Sequence, residues 1–96
     1  MKHAIDKLRK LVREERYKIS IHANEEMSND ELTSIDVENA VLTGKITKKF
    51  SKDVRGMRYQ VTGRALDGRP VVVICRILGN RWLRIVTVFA LENDVP

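Results

Sequence analysis

The stretch RPVVVICRIL, residues 69–78, decides the fold of this 96-residue chain because it holds the longest unbroken apolar run, residues 71–75. That run is far shorter than the roughly 20 apolar residues of a membrane-spanning helix. Turn signals bound the stretch on both sides, Asp67-Gly68 before it and Gly79-Asn80 after it. The pattern predicts a central β-strand that is covered on both faces.

Three further strands are predicted around this central strand, which makes a sheet of about four strands. Residues 46–51 and 57–65 alternate between apolar and polar side chains, and residues 81–91 form the last strand. Residues 52–56 are predicted as a turn and residues 92–96 as a tail. Because hairpin turns join the later strands, we expect a twisted, mainly antiparallel sheet.

The first 44 residues are predicted to be helical and to pack on one face of that sheet, which gives an α+β fold in a single domain, residues 1–96. Within residues 3–17, apolar side chains recur at the spacing of one helix face. These side chains are Ala4, Ile5, Leu8, Leu11 and Val12.

Two more helices are indicated by capping residues. Ser20 is the expected N-cap of a short helix that ends near Met27. Thr33 and Asp36 have the form of a capping box at the start of a third helix. Gly44 stands where a left-handed residue is expected to end that helix.

The charge is unevenly distributed along the chain, whose net charge is +5. Residues 21–44 carry six acidic and no basic side chains, whereas residues 45–91 carry eleven basic and two acidic ones. The basic C-terminal half favours an anionic partner such as nucleic acid. The acidic block offers an alternative, contact with a basic protein.

Localisation and cofactors are predicted mainly from what the sequence lacks. The first eleven residues are charged and have no apolar segment typical of a signal peptide, so the cytoplasm is the expected compartment. The single cysteine, Cys75, lies in the apolar run and is expected to be buried. Two separated histidines and one cysteine lack the spacing of metal ligands, so no metal and no cofactor are expected.

The two faces of the sheet are predicted on the assumption that both hairpins have two-residue loops, so that Leu66 faces Arg69 and Leu78 faces Arg81. A core face, covered by the helices, then collects Ile46, Phe50, Val61, Val72, Ile74, Leu83, Ile85 and Phe89. The other face collects Lys49, Arg58, Gln60, Thr62, Arg64, Trp82 and Arg84, with Val71, Val73 and Val86 between them.

The second face has the composition of a surface that binds single-stranded nucleic acid. Arginine side chains bind phosphate in a forked geometry, and an indole such as that of Trp82 stacks on a base. The alternative is an ordinary solvated sheet face, with Trp82 as an edge-strand residue.

The stretch ISIHANEEM, residues 19–27, surrounds one of the two histidines. Ser20 precedes His22 by two residues, and Glu25 and Glu26 follow it by three and four. Two interpretations are open, a cluster for proton transfer or the ordinary start of a capped helix.

The order of several short motifs resembles a family of small bacterial proteins catalogued as a domain of unknown function, which we group with RelE/ParE/BrnT-like toxins. The motifs are I-S-x-H-A, D-V-x-x-A-[VL]-x-x-G, R-Y-x-V-x-G, G-R-P and I-V-T-V, over roughly residues 17–90. The matching residues are Ile19, Ser20, His22, Ala23, Asp36, Val37, Ala40, Gly44, Arg58, Tyr59, Val61, Gly63, Gly68, Arg69, Pro70, Thr87 and Val88.

This resemblance implies a toxin of a toxin–antitoxin pair that cleaves RNA without a metal, paired with a zinc-finger or helix-turn-helix antitoxin. In such a reaction the 2′-hydroxyl attacks the adjacent phosphate, while the protein supplies proton transfer and positive charge. The implied catalytic residues are His22, Arg58 and Arg84. RNA contacts are expected from Lys49, Arg58, Gln60, Arg64, Arg69, Trp82 and Arg84, with support from Ser20, Glu26, Tyr59 and Thr87.

The chain departs from the family pattern at two positions. Glu26 stands where the family often carries arginine, and Phe89 stands where a tyrosine is expected. A carboxylate one turn from His22 repels phosphate, yet it also favours the protonated imidazole. Two alternatives therefore stay open: a non-catalytic module that binds nucleic acid or an antitoxin, and an adaptor that works through its acidic helical segment.

Overall fold

The computed structural model describes residues 3–51 and 56–91 of the chain. Most of the predicted turn, residues 52–55, and the predicted tail, residues 92–96, lie outside this range. Within it the chain forms three helices, α1 (Ala4–Arg13), α2 (Ile21–Asn29) and α3 (Ser34–Thr43). It also forms five strands, β1 (Tyr17–Ile19), β2 (Lys45–Phe50), β3 (Arg58–Arg64), β4 (Pro70–Ile77) and β5 (Leu83–Ala90).

The predicted α+β class is confirmed, and the apolar stretch of residues 69–78 contains the central strand, β4. The five strands lie in the order β1-β5-β4-β3-β2, which places β4 in the middle. The sheet is mixed, because β1 pairs with β5 in parallel while the other three pairings are antiparallel. Strand β1 was not predicted, since three residues are too few to show an alternating pattern.

The caps predicted for α2 and α3 are confirmed. The Ala23 backbone N–H donates to Ser20 Oγ at 3.0 Å, and the Asp36 N–H donates to Thr33 Oγ1 at 3.4 Å. The Thr33 N–H donates in return to Asp36 Oδ2 at 2.9 Å, which completes the capping box. Gly44, however, has an extended backbone with φ −92°, so the prediction of a left-handed residue there was wrong.

Both hairpins have three-residue loops, and the predicted two-residue loops were wrong. The Ala65 N–H donates to the Arg69 carbonyl at 2.9 Å, which leaves residues 66–68 as the first loop. The Leu78 N–H donates to the Trp82 carbonyl at 2.8 Å, which leaves residues 79–81 as the second. One residue of each loop is left-handed, Gly68 with φ 91° and Arg81 with φ 63°.

The added loop residue inverts the predicted faces of β4, because side chains alternate along a strand with a period of two. Val61 pairs with Val73 and Gly63 with Val71, so Val71 and Val73 point toward the helices. The face opposite the helices, called the open face from here on, instead receives Val72, Ile74 and Arg76.

Two β-bulges explain the other side chains that lie on the face opposite to the predicted one. A register shift between Ile46 and Lys48 in β2 pairs Phe50 with Arg58 and Lys49 with Tyr59, so Phe50 lies on the open face and Lys49 on the helix side. A second shift in β5 pairs Phe89 with Val72, which moves Phe89 from the predicted core to the open face.

The core lies between the helices and the sheet, where α3 approaches β3 very closely. A Cβ atom added at Gly63 would lie 1.9 Å from the Ala40 carbonyl oxygen, so only glycine fits that position. The buried core residues include Leu8, Val12, Ala23, Val37, Ala40, Val41, Val61, Val71, Val73, Leu83, Ile85 and Val88. No helix among the described residues has the length and apolar character needed to cross a membrane.

Candidate functional site

Four cationic side chains form a line across the open face, one on each of four adjacent strands. Lys18 of β1 pairs with Arg84 of β5, Arg84 pairs with Arg76 of β4, and Arg76 pairs with Arg58 of β3. Phe50 of β2 pairs with Arg58 and ends the line. Lys18, Arg84, Arg76 and Arg58 are called the cationic row from here on.

Like charges on directly opposite residues of neighbouring strands destabilise a sheet. The row contains three such pairs, and neighbouring strands are only about 4.8 Å apart. The five described strands contain eight Lys or Arg residues and no Asp or Glu. At the exposed pair of Lys18 and Arg84, a bound polyanion would relieve the repulsion between the two side chains.

The members of the row differ in burial. Lys18 and Arg84 are exposed, Arg58 is half-buried and Arg76 is only 8% exposed. Arg58 and Arg76 also make other interactions within the protein. Lys18 and Arg84, at the exposed end of the row, are therefore the positions where a ligand contact can be tested without disturbing the fold.

An aromatic ring lies close to each end of the row. The Arg58 guanidinium lies 5.0 Å from the centre of the Phe50 ring, and Lys48 Nζ lies 5.0 Å from the same centre. At the other end, Lys18 Nζ lies 5.8 Å from the centre of the Trp82 ring. Both rings therefore have a cation within the range of a cation–π interaction.

A cleft of about 660 Å³ opens beside Trp82, between the loop that joins β4 to β5 and the end of β1. Its size is within the range of small-molecule sites. Lys18 and Arg84 of the row lie in its wall. The other residues of the wall are Ile19, Ser20, Ile21, Leu78, Asn80, Trp82 and Leu83.

Helix α2 takes the place of a strand along the edge of β5 that β1 is too short to cover. The Val88 N–H donates to Glu26 Oε1 at 3.2 Å, and the Ala90 N–H donates to Asp30 Oδ2 at 2.8 Å. Ser20 Oγ also donates to the Val86 carbonyl at 3.1 Å. Glu26 and Asp30 thus satisfy two backbone donors of β5 that would otherwise lack a strand partner.

His22 lies in the first turn of α2, and its contacts bear on both interpretations of ISIHANEEM, the proton-transfer cluster and the capped helix start. Its Nε2 atom lies 3.2 Å from Glu26 Oε1, and its side chain is 67% exposed. Ser20 caps the helix, as the structural interpretation predicts. Glu26 therefore contacts His22 and the edge of β5 at once, so its carboxylate is fixed in position beside the imidazole.

The other predicted site residues lie in several places. Gln60, Arg64 and Thr87 are on the open face with Arg58 and Arg84, as the pairings of β3 and β5 require. Lys49, on the helix side, borders a groove beside α1, which corrects its predicted position on the second face. Tyr59 packs against the core from that same side.

Arg69 lies in the hairpin between β3 and β4, away from the cationic row. Its guanidinium donates to Asp67 Oδ2 at 2.8 Å, to the Asp30 carbonyl at 2.7 Å and to the Glu31 carbonyl at 3.1 Å. These bonds tie the hairpin to the end of α2 and hold the Arg69 guanidinium within the protein.

Sequence reasoning missed Arg76 and Lys18. Arg76 interrupts an otherwise apolar strand, and an arginine in such a run is a signal of its own, because buried charges are rare without a partner. Lys18 gave no signal, because its strand exists only through pairing with β5.

Among residues 3–51 and 56–91, the pKa values of Tyr17, Asp36 and Cys75 are shifted. Burial and the Glu38 carboxylate, which accepts a hydrogen bond from the phenol, raise the pKa of Tyr17 to about 12. Burial raises the pKa of the Cys75 thiol to about 12, which keeps it protonated. Hydrogen bonds from the Thr33 and Leu66 backbone lower the pKa of Asp36.

Among residues 3–51 and 56–91, no three His, Cys, Asp or Glu side chains are grouped so that they could hold a metal ion. A family model described as a domain of unknown function, DUF4258, matches residues 19–90. No curated protein and no solved structure matches the chain. The expected resemblance to a family of unknown function is confirmed, while the grouping with toxins stays a prediction.

Proposed function

Because this chain belongs to the DUF4258 family of domains of unknown function, we propose its function from its own geometry: it binds single-stranded RNA through its open face. The observation that carries the proposal is the cationic row, with Phe50 and Trp82 at its two ends. Side chains of this kind supply what a single strand requires, charges along the backbone and rings for the bases.

A single strand fits this face better than a duplex does. A protein reads a DNA duplex with a helix or a β-ribbon placed in the major groove, whereas a broad sheet face presents rings to unpaired bases. The biological role that we propose is the toxin-like component of a toxin–antitoxin pair with a fold of the RelE type. That role is supported by the resemblance of the motifs.

The adaptor alternative receives less support, because most of the acidic segment is occupied within the protein. Glu26 and Asp30 accept backbone N–H groups of β5, Asp36 accepts from Thr33 and Leu66, and Glu38 accepts from Tyr17. Four of the six acidic side chains in residues 21–44 are thus held internally, which leaves a small acidic surface for a basic partner.

Arg84→Ala tests the binding proposal directly. We expect it to weaken binding of a labelled single-stranded RNA about tenfold or more, because one charge-assisted phosphate contact is lost. The slope of log affinity against log salt should also fall, by about 0.7 for each phosphate contact removed. Fluorescence anisotropy measures both quantities. Salt is varied from about 50 to 300 mM, because affinity that depends on phosphate contacts falls steeply over this range.

Arg13→Ala is the matched control, since Arg13 is an exposed arginine in the last turn of α1 and lies outside the sheet. It removes the same net charge and should leave affinity within about twofold of the original protein. Equal losses in the two variants would mean that RNA responds only to net charge, and the proposed face would then be wrong.

A second candidate function, RNA cleavage, is favoured by the position of His22. Its neighbours Ser20 and Ile21 border the cleft that also contains Arg84, and Glu26 holds its imidazole in place. His22 would donate a proton to the 5′-oxygen that leaves, or accept one from the attacking 2′-hydroxyl. Arg84 would stabilise the charge that develops on the phosphate.

For this second candidate we expect His22→Ala to lower the rate of RNA cleavage in EDTA by about 100-fold or more, with RNA affinity unchanged. His3→Asn is the control, because it removes the other histidine and places a favoured residue at the start of α1. Gel analysis of a defined RNA gives the rate. Bound RNA that stays intact with the unmodified protein would exclude cleavage and leave the binding function in place.

A further inference from the structure

We infer that the cleft beside Trp82 is a seat for one unpaired nucleobase, and that the open face takes only a short segment of RNA laid across the strands. This inference rests on the proposed function and adds to it the position, the number and the orientation of the nucleotides. It concerns the ends of the cationic row, where the aromatic rings lie.

The wall of the cleft combines the groups that a base and its phosphate require. Trp82 is half-buried and offers an aromatic surface for stacking. Ile19, Ile21 and Leu78 supply apolar contacts, and the Ile21 side chain is 81% exposed at the rim.

The polar groups of the cleft are placed to recognise the rest of a nucleotide. Asn80 Oδ1 accepts the backbone N–H of Trp82 at 3.1 Å, which fixes the Asn80 side chain in the loop that borders the cleft and leaves its two amide N–H donors for other partners. Lys18 and Arg84 border the same cleft and begin the cationic row. A base stacked on Trp82 therefore has its phosphate next to the first two cations.

The length of the row limits the number of nucleotides. From Lys18 to Phe50 the line crosses five strands, hence four spacings or roughly 19 Å. At the stacked spacing of about 3.4 Å per nucleotide this distance holds no more than about six nucleotides, and fewer if the strand is extended. The Phe50 ring, 5.0 Å from the Arg58 guanidinium, is the stacking surface at the far end.

Tryptophan fluorescence reports on this seat alone, since Trp82 is the one tryptophan of the chain. We expect oligoadenylates to quench that fluorescence in a saturable manner. Affinity should rise with length and level off by about six nucleotides, apart from the small statistical gain of longer strands. A series of two, four, six and twelve nucleotides, chosen to bracket the site sizes known for single strands, measures the limit.

The stacking contact is tested by changing both partners. Trp82→Ala should weaken binding of a labelled hexanucleotide about tenfold, and Trp82→Phe should restore most of that loss. If Trp82→Ala fails to fold, the unmodified protein still tests the seat. A hexanucleotide whose terminal nucleotide is abasic should then bind about as weakly as a pentanucleotide and leave the Trp82 fluorescence unquenched.

The outcomes separate this inference from the function on which it rests. RNA that does not bind at all would overturn both. RNA that binds with the expected dependence on Arg84, but without quenching and with no effect of the terminal base, would overturn the Trp82 seat alone. Affinity that keeps rising steeply between six and twelve nucleotides would show that RNA follows a longer path than the cationic row.

Discussion

Replacing Gly63 with alanine is expected to lower the free energy of unfolding by about 3 kcal/mol, near the upper end of the range for overpacked positions. The added Cβ would lie 1.9 Å from the Ala40 carbonyl oxygen and 2.7 Å from its carbonyl carbon. Both atoms belong to the backbone of α3, so they cannot rotate away as a flexible side chain does. The helix must move off β3 or the strand must bend.

Urea unfolding measured by circular dichroism tests this result, and a fall in melting temperature of more than 10 °C should accompany it in a domain of this size. Gly79→Ala is the matched control, since a Cβ at Gly79 meets nothing within 4 Å. It should change the free energy of unfolding by no more than about 0.5 kcal/mol. Equal stability of the two variants would show that α3 does not pack this closely on β3.

The same contact positions the proposed site. Strand β3 carries Arg58 and Gln60 on its open face, while Val61 and Gly63 face α3. If α3 is forced away, β3 loses the support that holds Arg58 in line with Arg76. We therefore expect the part of the Gly63→Ala protein that stays folded to bind RNA more weakly as well.

The second large effect is expected at Asp36, whose carboxylate joins the start of α3 to the loop after β3. It accepts the Thr33 N–H at 2.9 Å, the Thr33 hydroxyl at 3.1 Å and the Leu66 N–H at 3.0 Å, and the residue is only 8% exposed. Asp36→Ala leaves two backbone donors without this acceptor. The expected loss in free energy of unfolding is about 3 kcal/mol.

The effect of Asp36→Ala should depend on pH in a defined direction. The Thr33 and Leu66 hydrogen bonds lower the pKa of Asp36 in the folded protein below its ordinary value of 3.8. A lowered carboxyl pKa contributes stability above the unfolded pKa, and that contribution is lost as pH falls through the folded pKa. The difference between the two proteins should hence be largest above about pH 5 and shrink below pH 4.

Urea unfolding at pH 7, 5 and 3 measures that difference. Asp36→Asn keeps one acceptor oxygen without the charge and should lose less stability at pH 7 than Asp36→Ala does. Glu25→Ala, at an exposed position of α2, should have little effect at any of these pH values. A loss from Asp36→Ala that is equal at pH 7 and pH 3 would mean that the ionised carboxylate is not what holds the loop.

Local chemistry was sufficient to predict the three helices and four of the five strands. The apolar run of residues 71–75 favours a central position in the sheet, and it lies in the middle strand. Ser20 and the Thr33–Asp36 pair satisfy backbone donors of their own helix starts, a requirement that involves only neighbours in sequence. Arg58, Gln60 and Arg64 were placed on one face because the alternation along β3 is undisturbed, and Arg84 joins them because it precedes the bulge in β5.

Only the tertiary structure decided which residues meet in the cationic row. Asp67-Gly68 and Gly79-Asn80 are compatible with loops of two or three residues, and one extra residue turns every side chain of the next strand to the other face. The extra residue in the first hairpin loop placed Arg76 on the open face, and the bulges placed Phe50 and Phe89 on the same face. The three residues of β1, and Lys18 with them, take their place only because β5 offers backbone partners. The sequence by itself therefore determined the three helices, the two N-caps and four of the five strands, whereas the packing of distant segments determined the face on which their charges lie.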